Sequence, residues 1–521
     1  MTNRSGRSAL PKARDQREVS PAGAAGAADR QRGAPARRGT PIPGDSSDAD
    51  ADTHADAAAH ADAAAHADAA AHAAHAAHAA SGGPIQPNVP VSWSHTGGSP
   101  RFWILVVLTG VGAGLGAIVL MGILHDVQHL AYGYERGSFE SGVAHAARFR
   151  PVVAMTAGGI IMATSWYLLR RIAHGERSLS DAIWHHAGRL PFVSTVTNGV
   201  LQMIAVAFGA TLGREGAPKE VGAAIASTLA NFFRLNDTQR KVLVACGAGA
   251  GMSAVYNVPL GGALFGAEVL LGTVSLPAVT PAIATSAVAT AVSWLALPNH
   301  PTYQLPALPV NGSELLWAVL FGPLAGLVTA WYVQSISWAK KKLADGWVRS
   351  VALVAVFAAT GAVAMRWPGV LGNGKDVTQL AFTGALGVGL VAVLLILRPI
   401  ATSAFLRAGA VGGLFTPTLT AGVLLGSLAG HGWEALTGIH APIPVYAAIG
   451  GTALLAATMQ APLAAVVLML ELTGTGISLI VPMLVALTGA MLVARMFDDR
   501  SIYSVSRART IRHFGARRTG P

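Results

Sequence analysis

Residues 209–227 read GATLGREGAPKEVGAAIAS and place adjacent charges, Arg214 and Glu215, in an otherwise apolar stretch. A charged side chain at membrane depth costs about 2.5–3.5 kcal/mol on insertion scales, so such a pair is typical of a polar path. Gly213 and Gly216 flank the pair. Glycines interrupt a helix and leave backbone N–H groups free, and free N–H groups at a helix start attract anions. The stretch therefore predicts a helix start at which the Glu215 carboxylate competes with an anion.

The composition predicts an all-α polytopic membrane protein. Of the 521 residues, 52% are hydrophobic and only 12% are charged, whereas soluble domains carry about 25% charged residues. Apolar runs that could cross all or most of a hydrocarbon core of about 30 Å recur along the chain. Examples are 102–124, 151–169, 315–333, 384–397 and 477–493.

The net charge of +11 is concentrated at both ends and in short connecting loops. Positive residues beside membrane spans mark the cytoplasmic side, so we expect both termini to be cytoplasmic and no nucleic-acid partner. The single cysteine, Cys246, excludes an intrachain disulfide and a cysteine cluster. No metal site and no cofactor are predicted.

The chain contains an internal duplication. Residues 254–269 (AVYNVPLGGALFGAEV) match 457–472 (ATMQAPLAAVVLMLEL), with proline and glutamate equally spaced in both copies. Residues 209–227 likewise match 409–427 (GAVGGLFTPTLTAGVLLGS). Duplicated halves with glycine- and proline-broken helices at corresponding places are the sequence pattern of a transport site between the halves. Glu268 and Glu471, which are repeat-related, are interpreted as structural hydrogen-bond acceptors.

We predict three regions. Residues 1–100 form a disordered tail with an Ala/His/Asp repeat, residues 101–509 form the membrane domain, and residues 510–521 form a basic tail. Within the membrane domain the repeats cover about 101–300 and 310–509. The histidine-containing tail is interpreted as a low-complexity expansion; the alternative is a sensor that binds metal or protons and controls the membrane domain.

Candidate anion ligands come from two glycine-rich helix starts, 213–218 and 412–417, and from two hydroxyl groups. Helix-start N–H groups replace part of an anion's water shell, and hydroxyls donate without adding a formal charge, so an anion is bound weakly enough to be released. The amide candidates are Arg214, Gly216, Leu414 and Phe415, and the hydroxyl candidates are Ser178 and Tyr503.

Each candidate also has a purely structural interpretation. Glu215 could form a salt bridge with Arg214 or Lys219 that only joins two helices. The glycines of 412–417 could serve close helix packing. Ser178 could be a plain helix cap, and Tyr503 could be an interfacial anchor.

These motifs resemble those of the CLC family of chloride channels and chloride/proton antiporters. GREGAP resembles the family's GREGP motif and GGLFTP its GxFxP motif, which makes Gly213, Pro218, Gly413 and Pro417 the structural motif positions. The resemblance implies two inverted repeats of tilted and broken helices, with one anion pathway in each subunit of a homodimer. It also implies a location in the inner membrane, contact with the lipid bilayer, and chloride as the transported ion, with protons as a further partner in the antiporters of the family. The chain stops soon after the last motif, so we expect no soluble regulatory (CBS) domains.

By the same resemblance Glu215 is the gating glutamate, Ser178 and Tyr503 are inner ligands, and the four amides complete the anion sites. Three departures from the family pattern matter. An alanine is interposed in the first motif, so the proline follows GREGA rather than GREG. The first-half serine motif is reduced, which leaves Ser178 and Ser180 as alternatives. Val269 stands where antiporters of the family have an internal proton-accepting glutamate.

Because valine cannot carry a proton, a voltage- or pH-gated chloride channel is the favoured hypothesis. The alternative is a chloride/proton antiporter with a non-standard relay through water or Glu268. An intramembrane enzyme is a remote alternative, since the sequence has no GxSxG, no HExxH and no paired intramembrane aspartates. We therefore expect no enzymatic activity.

Overall fold

The computed structural model describes residues 99–134, 137–172, 178–306, 310–341, 346–498 and 500–503. The tails predicted over 1–100 and 510–521 lie outside these residues except at 99–100, and the predictions about them stay predictions. Within the described part of the chain the secondary structure is helical, apart from one isolated bridge between Gly213 and Gly413.

Nine α-helices form the first half of the described residues. They are α1 Pro100–Tyr132, α2 Phe139–His145, α3 Arg150–Ile172, α4 Leu179–His185, α5 Phe192–Ala207, α6 Gly216–Phe232, α7 Asp237–Tyr256, α8 Pro259–Leu264 and α9 Leu276–Ser293. Helix α8 continues directly into a π-helix, Phe265–Leu271.

Eight α-helices form the second half of the described residues. They are α10 Gly312–Ala339, α11 Trp347–Ala364, α12 Lys375–Phe382, α13 Val388–Arg407, α14 Phe415–Thr437, α15 Ile443–Met459, α16 Pro462–Thr473 and α17 Ile480–Phe497. Short 3₁₀ turns, Pro368–Val370 and Ile477–Leu479, precede α12 and α17.

Seven of the described segments are long and apolar enough to cross a membrane: α1, α3, α9, α10, α11, α13 and the segment Ile477–Phe497. Apart from residues 384–387, they contain the apolar runs identified in the sequence, so the prediction of a polytopic helical membrane protein is confirmed. One boundary was wrong. The run predicted from residue 384 starts as a turn, because Gly384 adopts φ +69° after α12, and α13 begins only at Val388.

Two pairs of helices are broken at corresponding places. Helix α5 ends at Ala207 before α6 begins at Gly216, and α13 ends at Arg407 before α14 begins at Phe415. Each break contains a glycine with a left-handed backbone, Gly209 in the first half and Gly409 in the second. The predicted interruptions are thus confirmed, and they bring the starts of α6 and α14 toward the interior.

The repeats meet at equivalent residues. The Gly213 N–H donates to the Gly413 carbonyl at 2.7 Å, and the Gly413 N–H donates back at 3.0 Å. An antiparallel pair between equivalent positions requires that the pseudo-twofold axis pass between them. The helix-ending residues Asn257 and Gln460, equivalent in the sequence match, both take φ +57°. The duplication predicted from sequence is therefore an inverted structural repeat.

The two repeat-related glutamates, Glu268 and Glu471, each cap the start of a helix in the other repeat. Glu268 accepts the Ala464 N–H at 2.6 Å, at the start of α16. Glu471 accepts the equivalent Gly261 N–H at 2.6 Å, at the start of α8. Free N–H groups at a helix start are satisfied well by a carboxylate. The interpretation of Glu268 and Glu471 as structural acceptors agrees with these contacts.

Helices α7 and α15 form the interior of the two halves. Nearly every side chain of α7 from Val242 to Tyr256, and of α15 from Pro444 to Met459, is buried. A helix that is apolar or small on all sides is buried all round. Helix α6 packs on α7 and α14 packs on α15, so the two buried helices fix the directions of the two helix starts.

Candidate anion pathway

The Glu215 carboxylate lies between the two helix starts and is completely buried. Its Oε1 accepts the Phe415 N–H at 2.6 Å. Its Oε2 accepts the Thr416 hydroxyl at 3.0 Å and the Tyr256 hydroxyl at 3.3 Å. Three donors therefore converge on one acid at the place where the sequence predicts an anion.

These contacts disfavour the salt-bridge interpretation of Glu215. Glu215 takes N–H and O–H donors from the other repeat and from α7, and its oxygens form no ion pair with Arg214 or Lys219 within the described chain. The Arg214 guanidinium lies over the Tyr256 ring instead, 4.8 Å from its centroid. The two adjacent charges thus face different surroundings.

The motif glycines make room for the carboxylate. A Cβ atom at Gly213 or at Gly413 would overlap the oxygens of Glu215. At Gly216 a Cβ would overlap the Gln202 side-chain oxygen and the Gly413 backbone. The glycine-rich pattern is therefore required by the carboxylate's position between the repeats, and close helix packing alone does not account for it.

The extra alanine in GREGAP leaves the helix start intact. Helix α6 begins at Gly216 and α14 begins at Phe415, so Pro218 and Pro417 are both the third residue of their helices. First-turn N–H groups have no partner within the helix, so proline is tolerated there. In α14 the first N–H, that of Phe415, is the one that binds Glu215. Leu414 lies at the N-cap position directly before it.

Sequence reasoning missed Tyr256 as a member of the site and named Thr416 only within its motif. The Tyr256 hydroxyl is 2.7 Å from the Thr416 hydroxyl, and both contact Glu215. Tyr256 is the last residue of α7 and is separated from Glu215 by 41 positions, so only the packing of α7 against α6 brings them together. A signal was present in the sequence, since Tyr256 is a polar aromatic residue in a stretch of small and apolar residues.

A cavity of about 430 Å³ opens on the Arg214 side of Glu215. Its lining includes several charged or ionisable residues: His125, His129, Glu140, Arg214, Lys375 and Asp376. The Arg214 guanidinium, followed by burial, lowers the pKa of Lys375 to about 8, against the opposing effect of Asp376. Two cations, Arg214 and Lys375, thus line this cavity, and their positive charge favours an anion there.

Tyr503 lies on the far side of α6, beside Lys219 and Phe265. Its ring meets the Phe265 ring edge-on, with centroids 5.5 Å apart. Its hydroxyl oxygen is buried and has no hydrogen-bond partner among the described residues. The chain before it is held in place because Lys340 Nζ donates to the Ile502 carbonyl at 3.0 Å.

Ser178 occupies the N-cap of α4, where its side chain accepts the Asp181 N–H at 3.2 Å. The residue is exposed, and the structure does not bring it to Glu215. The cap uses the oxygen as an acceptor and leaves the hydroxyl proton free to donate, so the contact fits a cap and a ligand equally. Ser180, the alternative, lies within α4 and is partly buried. Val269 lies in the π-helix and packs partly against the core.

An inverted-repeat helical membrane protein with a buried carboxylate at two facing helix starts belongs to the class of ion-transport proteins. The family model described as voltage gated chloride channel matches residues 158–495. The chain belongs to this family, the CLC family of chloride-transporting membrane proteins. It is similar to a putative ClcB-like chloride channel protein of Ralstonia nicotianae, with 30% identity over 411 residues, 77% of this chain and 95% of the relative.

Other relatives and solved structures agree with this assignment. The voltage-gated ClC-type chloride channel ClcB of Escherichia coli K12 is 29% identical over 419 residues, 77% of this chain and 98% of the relative. A slow cyanobacterial Cl⁻/H⁺ antiporter has the same fold, with a TM-score of 0.69 at 21% identity, covering 79% of this chain and 98% of that one. A CLC-type fluoride/proton antiporter gives a TM-score of 0.62 at 20% identity, covering 78% and 97% of the two chains.

Proposed function

We propose that this protein moves chloride across the membrane along a pathway that the Glu215 carboxylate blocks. The observation that carries the proposal is the bond from the Phe415 N–H to Glu215 at 2.6 Å. A backbone N–H at a helix start is an anion ligand, and here a carboxylate occupies it. The lining of the neighbouring cavity by Arg214 and Lys375 supports anion entry from that side.

Opening then requires that the carboxylate leave its three donors. A chloride ion can replace it, because the Phe415 N–H and the hydroxyls of Thr416 and Tyr256 remain as donors. Protonation of Glu215 assists departure, since hydrogen bonds to a neutral acid are about half as strong as those to a carboxylate. We therefore expect chloride flux to rise as the pH falls. Protons thus join chloride as a partner.

Two modes of transport fit this gate. A channel mode, with gating by voltage or pH, is supported by Val269, which places a hydrocarbon side chain where a second proton acceptor would be needed. An antiporter mode is supported by the complete burial of Glu215 in a closed pathway, and relatives in fold include a Cl⁻/H⁺ antiporter. The antiporter mode requires a proton route other than residue 269.

The reversal potential of the protein in liposomes separates the two modes. At a fixed chloride gradient, an imposed proton gradient leaves the reversal potential of a channel unchanged and shifts that of an antiporter. Glu215→Gln is the matched variant and Glu434→Gln, a surface carboxylate beside His440, is its control. We expect Glu215→Gln to lose the pH dependence of flux and the control to keep it. Intact pH dependence in Glu215→Gln would show that Glu215 is not the gate.

Assembly and orientation are further parts of the proposal. Leu260 and Leu463, which are repeat-related, are about half exposed at the starts of α8 and α16, and Val481 of α17 is exposed as well. Such an apolar face supports a homodimer through α8, α9, α16 and α17, with one pathway in each subunit. The basic ends of the chain support cytoplasmic termini in a bacterial inner membrane. Cross-linking in native membranes and protease access to tagged termini test these two points.

A further inference from the structure

Lys219 is a buried lysine on α6, one helical turn beyond Glu215. Its Nζ lies 4.8 Å from the centroid of the Phe265 ring and 4.9 Å from that of the Tyr503 ring. Its backbone N–H continues the helix by donating to the Glu215 carbonyl. The side chain thus places its amine nitrogen in the apolar interior beside the last motif tyrosine.

A buried ammonium group requires a counter-charge, because desolvation of the charge exceeds what aromatic faces return. The two carboxylates closest along α6 have other partners. Glu215 accepts from Phe415, Thr416 and Tyr256. Glu220 accepts the Asn198 side-chain amide at 2.9 Å. Both carboxylates act on Lys219 through their charge, but neither forms an ion pair with its Nζ within the described chain, so an anion in direct contact with Nζ would stabilise the ammonium form further.

The Tyr503 hydroxyl supplies a second ligand at that place. Its oxygen is buried without a hydrogen-bond partner in the described part of the chain, and a buried donor in this state favours an acceptor. Lys340, which holds the Ile502 carbonyl, fixes the backbone next to Tyr503 and adds positive charge nearby. Lys219 Nζ lies over the ring of Tyr503, which carries this hydroxyl.

We propose that Lys219 is a cationic ligand of an inner anion site, where it binds chloride together with the Tyr503 hydroxyl. This inference rests on the proposed function, since it concerns the same pathway one turn further along α6. A site built from neutral donors alone releases an anion quickly. A site with a full positive charge holds the anion longer, so Lys219 makes this pathway tight and slow.

The test is chloride binding to the purified full-length protein, measured by isothermal titration calorimetry with gluconate replacing chloride at constant ionic strength. We expect Lys219→Met to raise the chloride Kd by about tenfold or more, and Lys219→Arg, which keeps the positive charge but differs in shape, to raise it less than Lys219→Met does. Lys341→Met, at an exposed lysine, is the control with the same change in net charge and is expected to bind as the native protein does.

The measurements distinguish failure of this inference from failure of the proposed function. If the Lys219→Met protein binds chloride with native affinity, the inference is overturned. This also holds if that variant loses proton coupling, because such a result would mean that Lys219 carries protons and does not bind the anion. Absence of chloride binding and flux in the native protein would instead overturn the proposed function itself. If Lys219→Met fails to fold, Tyr503→Phe removes the partner hydroxyl at constant charge. An unchanged Kd in Tyr503→Phe together with an unchanged Kd in Lys219→Gln refutes the inner site.

Discussion

Thr416→Val is the sharpest perturbation of the gate, because it removes one donor to Glu215 and keeps the shape of the side chain. The Thr416 hydroxyl donates to Oε2 of Glu215 at 3.0 Å and is fully buried. Hydrogen bonds to charged groups contribute about 1.5–3 kcal/mol. After the carboxylate has left, the native hydroxyl lies 2.7 Å from the Tyr256 hydroxyl and remains a donor for chloride, so the substitution also costs the open state these interactions.

The size of the effect depends on how much more the substitution destabilises the closed state than the open state. If the closed state loses about 1.4 kcal/mol more than the open state, the gate equilibrium shifts toward open about tenfold. We expect chloride efflux from liposomes at neutral pH, followed with a chloride electrode, to rise by up to this factor. The rise should shrink at acidic pH, where protonation has already weakened the hold on Glu215.

Thr452→Val is the matched control for this experiment. Thr452 is also completely buried, but its hydroxyl donates to the Ala448 carbonyl within α15. Thr452→Val is therefore the same chemical change as Thr416→Val, at a residue whose hydroxyl does not bind Glu215. Equal efflux rates for Thr416→Val and Thr452→Val at neutral pH would refute the reasoning that donors from α14 hold the gate closed.

Two further predictions concern stability and pH dependence. Glu471→Gln replaces a carboxylate that caps α8, so we expect a loss of about 1–3 kcal/mol, read as a lower Tm in detergent; a Tm equal to that of the control Glu434→Gln would contradict the capping role. The pKa of Lys375 is lowered to about 8, so its ammonium is charged below that pH and neutral above it. Chloride flux should then fall by up to about tenfold as the pH rises from 7 to 9, and Lys375→Met should remove this alkaline step, whereas the exposed-lysine variant Lys341→Met should retain it.

Much of the fold was readable from the sequence for physical reasons. Apolar runs without charges must be helical in a membrane, because the backbone has no water to bond, and seven such segments are present among the described residues. The repeats were visible because proline, glycine and glutamate recur at matching spacings. The break at 208–215 followed from glycines that an uninterrupted helix would not need.

The site was readable only in part. Glu215 and Phe415 belong to local motifs, and local geometry places each of them at the start of a helix. Tyr256 and Lys219 gave a weaker signal, since a tyrosine at a helix end and a lysine after proline have many interpretations. Ser178 differs from these residues, since its motif was recognisable in the sequence. The hydrogen bond that the structure gives it is the helix cap, in which its side chain accepts the Asp181 N–H.

The sequence by itself determined that this is a duplicated helical membrane protein whose helices break at two glycine-rich motifs, since hydropathy and chain stiffness act locally. Only the tertiary structure decided what the charges at the first motif face. Folding the two repeats against each other pairs Gly213 with Gly413 and sets the Phe415 N–H against Glu215, 200 positions away. It also turns Arg214 toward the cavity and Lys219 toward Tyr503. Those partners are set by the packing of distant helices, which no local pattern encodes.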